Sequence, residues 1–262
     1  MDDDVLLIEK LWGVTRLTLN RPERRNSLSP SLVAALHHTF VALRDDPETR
    51  VIVLTGAGDK AFCAGGDLGG DGMFAEAGAL AKHDHRKYFA DLFRVMAEVG
   101  RPIVARLNGH ALGGGFGLAM AADLVVAADD VELGAPEINL GLFPMVIMAT
   151  LSRNIPRKAL MELILTGERI KAPEAMALGM LNRVVPRAEL DVATDVLVQK
   201  LLSKSPAVLR LGRDSFYGMA DLDFPRALDY LNNQLTINLM AEDVAEGVSA
   251  FFARRPPEWK GR

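Results

Sequence analysis

One run of residues limits the possible folds more than any other: Val51-Ile52-Val53-Leu54, an unbroken apolar, mostly β-branched stretch that stops at Gly56. A strand that is apolar at every position has no face left for water, so it belongs in a parallel sheet covered on both sides. Similar runs recur from Pro102 to Leu107 and from Leu124 to Ala128. Between them lie helical patterns. Ser29-Pro30 opens one in which Leu32, Leu36, Phe40 and Leu43 recur at helical spacing, and Tyr88 to Val99 carries another. Strands alternating with helices define an α/β chain. Ahead of them, Val5 to Ile8 and Val14 to Leu19 flank Gly13 and read as a hairpin.

Beyond Pro156 the pattern changes. Lys158 to Leu165, Glu189 to Leu202, Ala207 to Tyr217, Pro225 to Met240 and Asp243 to Phe252 are helical in pattern, and only Asn182 to Val185 still resembles a strand. The natural division is a sheet-based core over 1–190 and a helical arm over 191–262. No strong internal repeat is visible. At 262 residues the chain is long enough for one or two domains, and by area scaling it can bury about three quarters of its unfolded surface.

Lys and Arg number 30 against 34 Asp and Glu, a net charge of −4, which is no footprint for a general nucleic-acid binder. A single cysteine, Cys63, permits no internal disulfide, so a reduced cytoplasmic setting is expected. The start Met1-Asp2-Asp3-Asp4 does not read as a signal peptide, and no 18-residue apolar run suggests a membrane span.

Two of the apolar runs lead into glycine-rich segments, GAGDKAFCAGGD at 56–67 and NGHALGGGFG at 108–117. Neither is a phosphate-binding P-loop or a clean dinucleotide fingerprint. Glycine there lets backbone approach a ligand closely and leaves N–H groups free to point at it. Gly113 to Gly115 also precede a short helix, whose orphan N–H groups favour developing negative charge. With the backbone at Gly65-Gly66 as second donor, the pair suggests an oxyanion hole. Two tight turns with no ligand are the plain alternative.

The segments FCAGGDL at 62–68, NGHALGGGFGLAMAADL at 108–124, GAPEINLGLFP at 134–144, LTGERIKAPEAMALGMLNRVVP at 165–186 and the tail AFFARRPPEWKGR together strongly resemble the enoyl-CoA hydratase/isomerase (crotonase) superfamily. The resemblance spans nearly the whole chain in order. It implies a crotonase (ClpP-like) α/β spiral of β-β-α units, followed by a C-terminal helical region for trimerisation. The implied partner is an acyl-CoA thioester, with coenzyme A as part of the substrate and no separate cofactor or metal. A homo-oligomer, trimer or dimer of trimers, is implied too.

The resemblance places the oxyanion N–H groups at Gly66 and Gly114 and one acid/base at Glu137. A second acid/base position, glutamate in the best-known hydratases, is occupied by Gly117. Ala64, Asp67, Leu68, Gly113, Pro136 and Leu142 fall at substrate-contact positions. Arg24 or Arg25, Lys60 and Lys260 match basic positions near the nucleotide, and Gly69 stands where some relatives carry a lysine. Where relatives continue after the proline with a Gly-x-Gly-Gly run, this chain has Met145-Val146-Ile147-Met148, which makes the local pocket more apolar. The implied chemistry is hydration of a 2-enoyl-CoA or Δ3,Δ2 double-bond isomerisation. The alternatives are a non-catalytic acyl-CoA binder or another crotonase-type reaction such as decarboxylation.

Other residues invite plainer readings. A replacement for the second carboxylate could come from Asp71, Glu76, His83, Asp84 or His85, although His83 and His85 read first as a solvated face and lack the spacing of a metal site. His37-His38 reads as surface. Asp67 and Asp123 are expected to accept turn or helix-end N–H groups, and Asn108 to bond its own turn. Cys63 reads as a small buried residue and not a nucleophile.

Overall fold

The computed structural model describes residues 5–69 and 79–262. Strands β1 (Leu6–Leu11) and β2 (Val14–Leu19) form the expected hairpin, with the tight corner at Trp12-Gly13 in left-handed conformation. Helix α1 (Pro30–Arg44) follows, capped by the Ser29 hydroxyl, which accepts from the Leu32 N–H at 3.2 Å. Then come β3 (Val51–Gly56), β4 (Ala61–Cys63) and α2 (Ala79–Glu98); β5 (Ile103–Leu107), β6 (His110–Leu112) and α3 (Gly114–Ala121); β7 (Leu124–Ala128) and β8 (Glu132–Gly134), leading into a 3-10 turn at Pro136–Leu140. The core ends with α4 (Met148–Asn154), α5 (Arg157–Thr166), β9 (Arg169–Lys171), α6 (Ala172–Ala177) and β10 (Arg183–Val185).

This order is a spiral. In each coil a strand of one sheet passes, through a connection of four, two or three residues, into a short strand of a second sheet. The first sheet has the order β1-β2-β3-β5-β7-β10, parallel from β2 onward; the second has the order β4-β6-β8-β9, parallel except for β9. All six residues of β3 are buried, as a strand covered on both faces requires. Phe40, Phe62, Phe116, Leu17, Leu36 and Met96 are among the largest fully buried side chains of the core that holds the coils together.

Asn108 departs from expectation. Its side chain does not bond its own turn but reaches the preceding coil: Oδ1 accepts from the Gly56 N–H at 3.0 Å and Nδ2 donates to the Gly58 carbonyl at 2.7 Å. Buried between two turns, it satisfies backbone groups that the strand ladders leave open. It also fixes one glycine-rich segment against the other.

The arm consists of α7 (Leu190–Leu202), α8 (Pro206–Met219), α9 (Phe224–Leu239) and α10 (Glu242–Ala253). Asp123, just after α3, ties it down. Its carboxylate accepts from the Ile103 N–H at 2.7 Å, from Arg213 Nε at 2.8 Å and from the Tyr217 hydroxyl at 2.8 Å. The other nitrogens of Arg213 donate to the carbonyls of Met96 and Ala97 at the end of α2, each at 2.7 Å. A cation at a helix C-terminus is favourably placed against its dipole. Against expectation, Asp123 accepts not a turn or helix-end N–H but the N–H that starts β5, and it joins core to arm as well. No described helix is long and apolar enough to cross a membrane.

Candidate active site

The two glycine-rich segments meet at the start of α3. Gly65 adopts φ +99° and Gly113 φ +52°, both left-handed backbone that glycine reaches without strain. They are packed so closely that a Cβ added at Gly65 would lie 3.0 Å from the Leu112 carbonyl oxygen and 3.4 Å from the Gly114 nitrogen. Leu28 bridges to this turn: its N–H donates to the Gly65 carbonyl at 2.8 Å, and its carbonyl accepts from Asp67 at 3.1 Å. That pattern skips the N–H of Gly66. The N–H of Gly114 opens α3 and has no carbonyl one turn back to reach. Among the described residues neither N–H has a hydrogen-bond partner.

Glu137 stands in the 3-10 turn that follows β8, where Pro136 opens the turn and Gly141, at φ +70°, closes it. Its carboxyl lies against the glycine corner, since a Cβ at Gly113 would be 2.9 Å from Oε1 and 3.4 Å from the carboxyl carbon. Oε2 is buried without a hydrogen-bond partner. Burial pushes the Glu137 carboxyl above the ordinary carboxylate range, and its hydrogen bond with its own backbone offsets only part of that. A half-buried carboxyl with one buried, unpartnered oxygen, beside two unused N–H groups, is equipped to exchange a proton with a bound molecule.

One turn along α3, the Gly117 N–H donates to the Gly113 carbonyl at 3.0 Å. A Cβ at Gly117 would lie 2.9 Å from Ile147 Cβ and 3.2 Å from Phe93 Cζ. Phe93 packs edge-on against Phe89, with ring centroids 5.1 Å apart, and Phe89 in turn faces Gly114 together with Leu28. Leu28, Phe89, Phe93 and Ile147 therefore wall α3 with hydrocarbon. Sequence reasoning missed the first three, whose spacing marks only core-facing helix or strand positions; the departure at Met145 to Met148 was the one visible signal for Ile147.

The remaining candidates divide. Ala64, Asp67 and Leu68 lie on the turn after β4 that carries Gly65 and Gly66, and Pro136 and Leu142 lie on the segment carrying Glu137. Asp67 is engaged by Arg21 at 2.7 Å and by the Gly69 N–H at 3.1 Å. Burial alone would raise its carboxyl, but these partners outweigh it and hold the group below its usual range. Arg25 and Lys60 are exposed near the same end of the spiral, and Arg24 Nη1 lies 3.9 Å from where a side chain at Gly69 would begin. Lys260 sits elsewhere, on the tail against the arm, 3.7 Å from Glu242 and with its N–H held by Asp243 at 2.7 Å.

Asp71 and Glu76 lie outside the described residues, as do the side chains of Asp84 and His85; His83 is exposed. His37 is not simply surface. It is half-buried, with Nε2 2.9 Å from Asp91, and it stacks on Tyr88, whose hydroxyl meets exposed His38 at 2.7 Å. Cys63 is fully buried, and its thiol is pushed up to about 12 by burial, so it is inert as a nucleophile. Among the described residues no group of three or more His, Cys, Asp or Glu is placed to hold a metal ion.

This spiral with its glycine cradle defines a crotonase-fold acyl-CoA enzyme class, and comparison with known proteins agrees. The chain belongs to the enoyl-CoA hydratase/isomerase family, whose model matches residues 9–262. It is similar to the carnitinyl-CoA dehydratase of Escherichia coli, 34% identical over 255 residues covering 95% of this chain and 96% of that protein. Among solved structures, an enoyl-CoA hydratase of Mycobacterium smegmatis superposes with a TM-score of 0.94 at 36% identity, covering 98% of this chain and 99% of that one. An enoyl-CoA hydratase of Bacillus anthracis gives 0.93 at 31%, covering 99% and 100%.

Proposed function

We propose that the protein isomerises a 3-enoyl-CoA to the 2-enoyl-CoA, with Glu137 as the only acid/base. The observation that carries this reading is the buried, unpartnered Oε2 of Glu137 beside the glycine corner. In the reaction, the carboxylate takes a proton from C2 and the C2–H electron pair flows into the thioester to give a dienolate. The dienolate oxygen is held by the N–H groups of Gly66 and Gly114, each donor worth about 3 kcal/mol in the transition state. The same carboxyl then returns the proton to C4 as the double bond moves to C2–C3. Nothing is gained or lost, so no cofactor is required; coenzyme A is part of the substrate, with Arg25 and Lys60, and Lys260 contributed by a neighbouring subunit, as candidate phosphate contacts.

Assembly into a trimer or dimer of trimers belongs to the same proposal. Two facts support it. The described arm leaves Phe224, Leu228, Leu239, Phe251 and Phe252 more than half exposed. The chain also presents 14370 Å² to solvent, where a monomer of 28.4 kDa is expected to present roughly 11,000 Å².

A second reading, hydration of a 2-enoyl-CoA or the reverse dehydration, is favoured by the names of the relatives above. A substrate panel separates the two. The expected result is turnover of 3-hexenoyl-CoA far faster than hydration of 2-hexenoyl-CoA; faster hydration supports the second reading, and inactivity on every thioester supports a binding protein.

A further inference from the structure

We infer that Ile147 and Phe93 form a water-excluding plug that makes proton return to the substrate faster than proton loss to solvent. The inference rests on the isomerase reading and concerns what decides the fate of the proton within it. Gly117 lies four residues beyond Gly113 on α3, about 6 Å along the axis at 1.5 Å per residue. The space in front of it is filled from two other elements: Ile147, 2% exposed and immediately before α4, and Phe93 on α2. Phe93 is braced by Phe89, which with Leu28 also covers Gly114. A buried water needs two to four polar partners, and these four side chains offer none. Among the described residues, the polar groups at this corner are the N–H groups of Gly66 and Gly114 and the Glu137 carboxyl. A proton held on Glu137 would then meet the dienolate before it meets water.

The plug is a reaction-specificity element and not part of the acid/base machinery, so its signature is an isotope ratio. The test uses 3-hexenoyl-CoA carrying two deuteriums at C2, in ordinary water, and measures the fraction of product with deuterium at C4. The native enzyme is expected to transfer a measurable fraction. Ile147→Ala, which opens a cavity in front of Gly117, is expected to lower that fraction several-fold. Ile147→Val, a smaller truncation, should fall between the two and serves if the alanine variant does not fold. Equal retention in the native, Val and Ala enzymes overturns the plug. If the native enzyme does not isomerise the substrate at all, the isomerase reading falls instead, and the two failures are told apart by that first measurement.

Discussion

The carboxyl of Glu137 fills the space that a side chain at Gly113 would occupy: a Cβ there would stand 2.9 Å from Oε1. The glycine is required twice over, by this contact and by its φ of +52°. Gly113→Ala is therefore expected to fold but to push Glu137 off its position. A displacement of about 1 Å at a reacting group costs on the order of 10²-fold in rate. Steady-state kinetics with a melting curve check this; a stable variant with native kcat contradicts it.

The raised pKa of Glu137 sets the sign of two pH effects. As a base the carboxyl must be ionised, so kcat/KM is expected to rise with pH along an acid limb lying above the ordinary carboxylate value of 4.5. For stability the sign is opposite. The folded protein binds this proton more tightly than the unfolded chain, so the group's contribution is complete below 4.5 and is lost as pH rises through the folded value. Glu137→Gln is expected to remove that loss, leaving a variant at least as heat-stable as the native protein at neutral pH.

Much of this arrangement was legible in the sequence, and the parts that were not share a physical reason. Val51–Gly56 declared itself because a strand buried at every position begins with four apolar residues in a row, Val51 to Leu54. Ala61–Cys63, His110–Leu112 and Glu132–Gly134 did not, because three residues carry no period, and these strands exist only through pairing with one another. Helices α4 and α6 and strand β9 were missed likewise, each a short element set by its neighbours. The glycine corners were marked by their glycine-rich segments, and Glu137 by motif resemblance. That Gly117 faces Ile147 and Phe93 was not, since three chain segments converge there.

That convergence gives a packing prediction. Gly117→Ala is expected to destabilise by about 1–3 kcal/mol through overpacking, because its Cβ would meet Ile147 and Phe93. Combining it with Ile147→Ala should recover most of the loss, giving a coupling energy between touching residues. Denaturant unfolding of the two single variants and the double checks this, and additive losses contradict it.

The Asp123–Arg213 pair should matter to the arm more than to the chemistry. Arg213 is nearly buried and spends three nitrogens on Asp123, Met96 and Ala97. Removing the arginine alone leaves the partly buried Asp123 carboxylate with only the Ile103 N–H and the Tyr217 hydroxyl as donors, with an expected cost of about 1.5–3 kcal/mol. Arg213→Ala should lower the melting temperature and loosen α8 in hydrogen exchange. Native stability and native protection of 206–219 would count against this link.

The most direct test of a single-carboxylate proton shuttle is Glu137→Gln, which keeps the shape of the side chain and removes its basicity. The expected result is a fall in 3-hexenoyl-CoA isomerisation on the order of 10²–10⁴-fold, with binding of the CoA ester retained. Undiminished isomerisation by the folded variant would contradict it and place the base elsewhere.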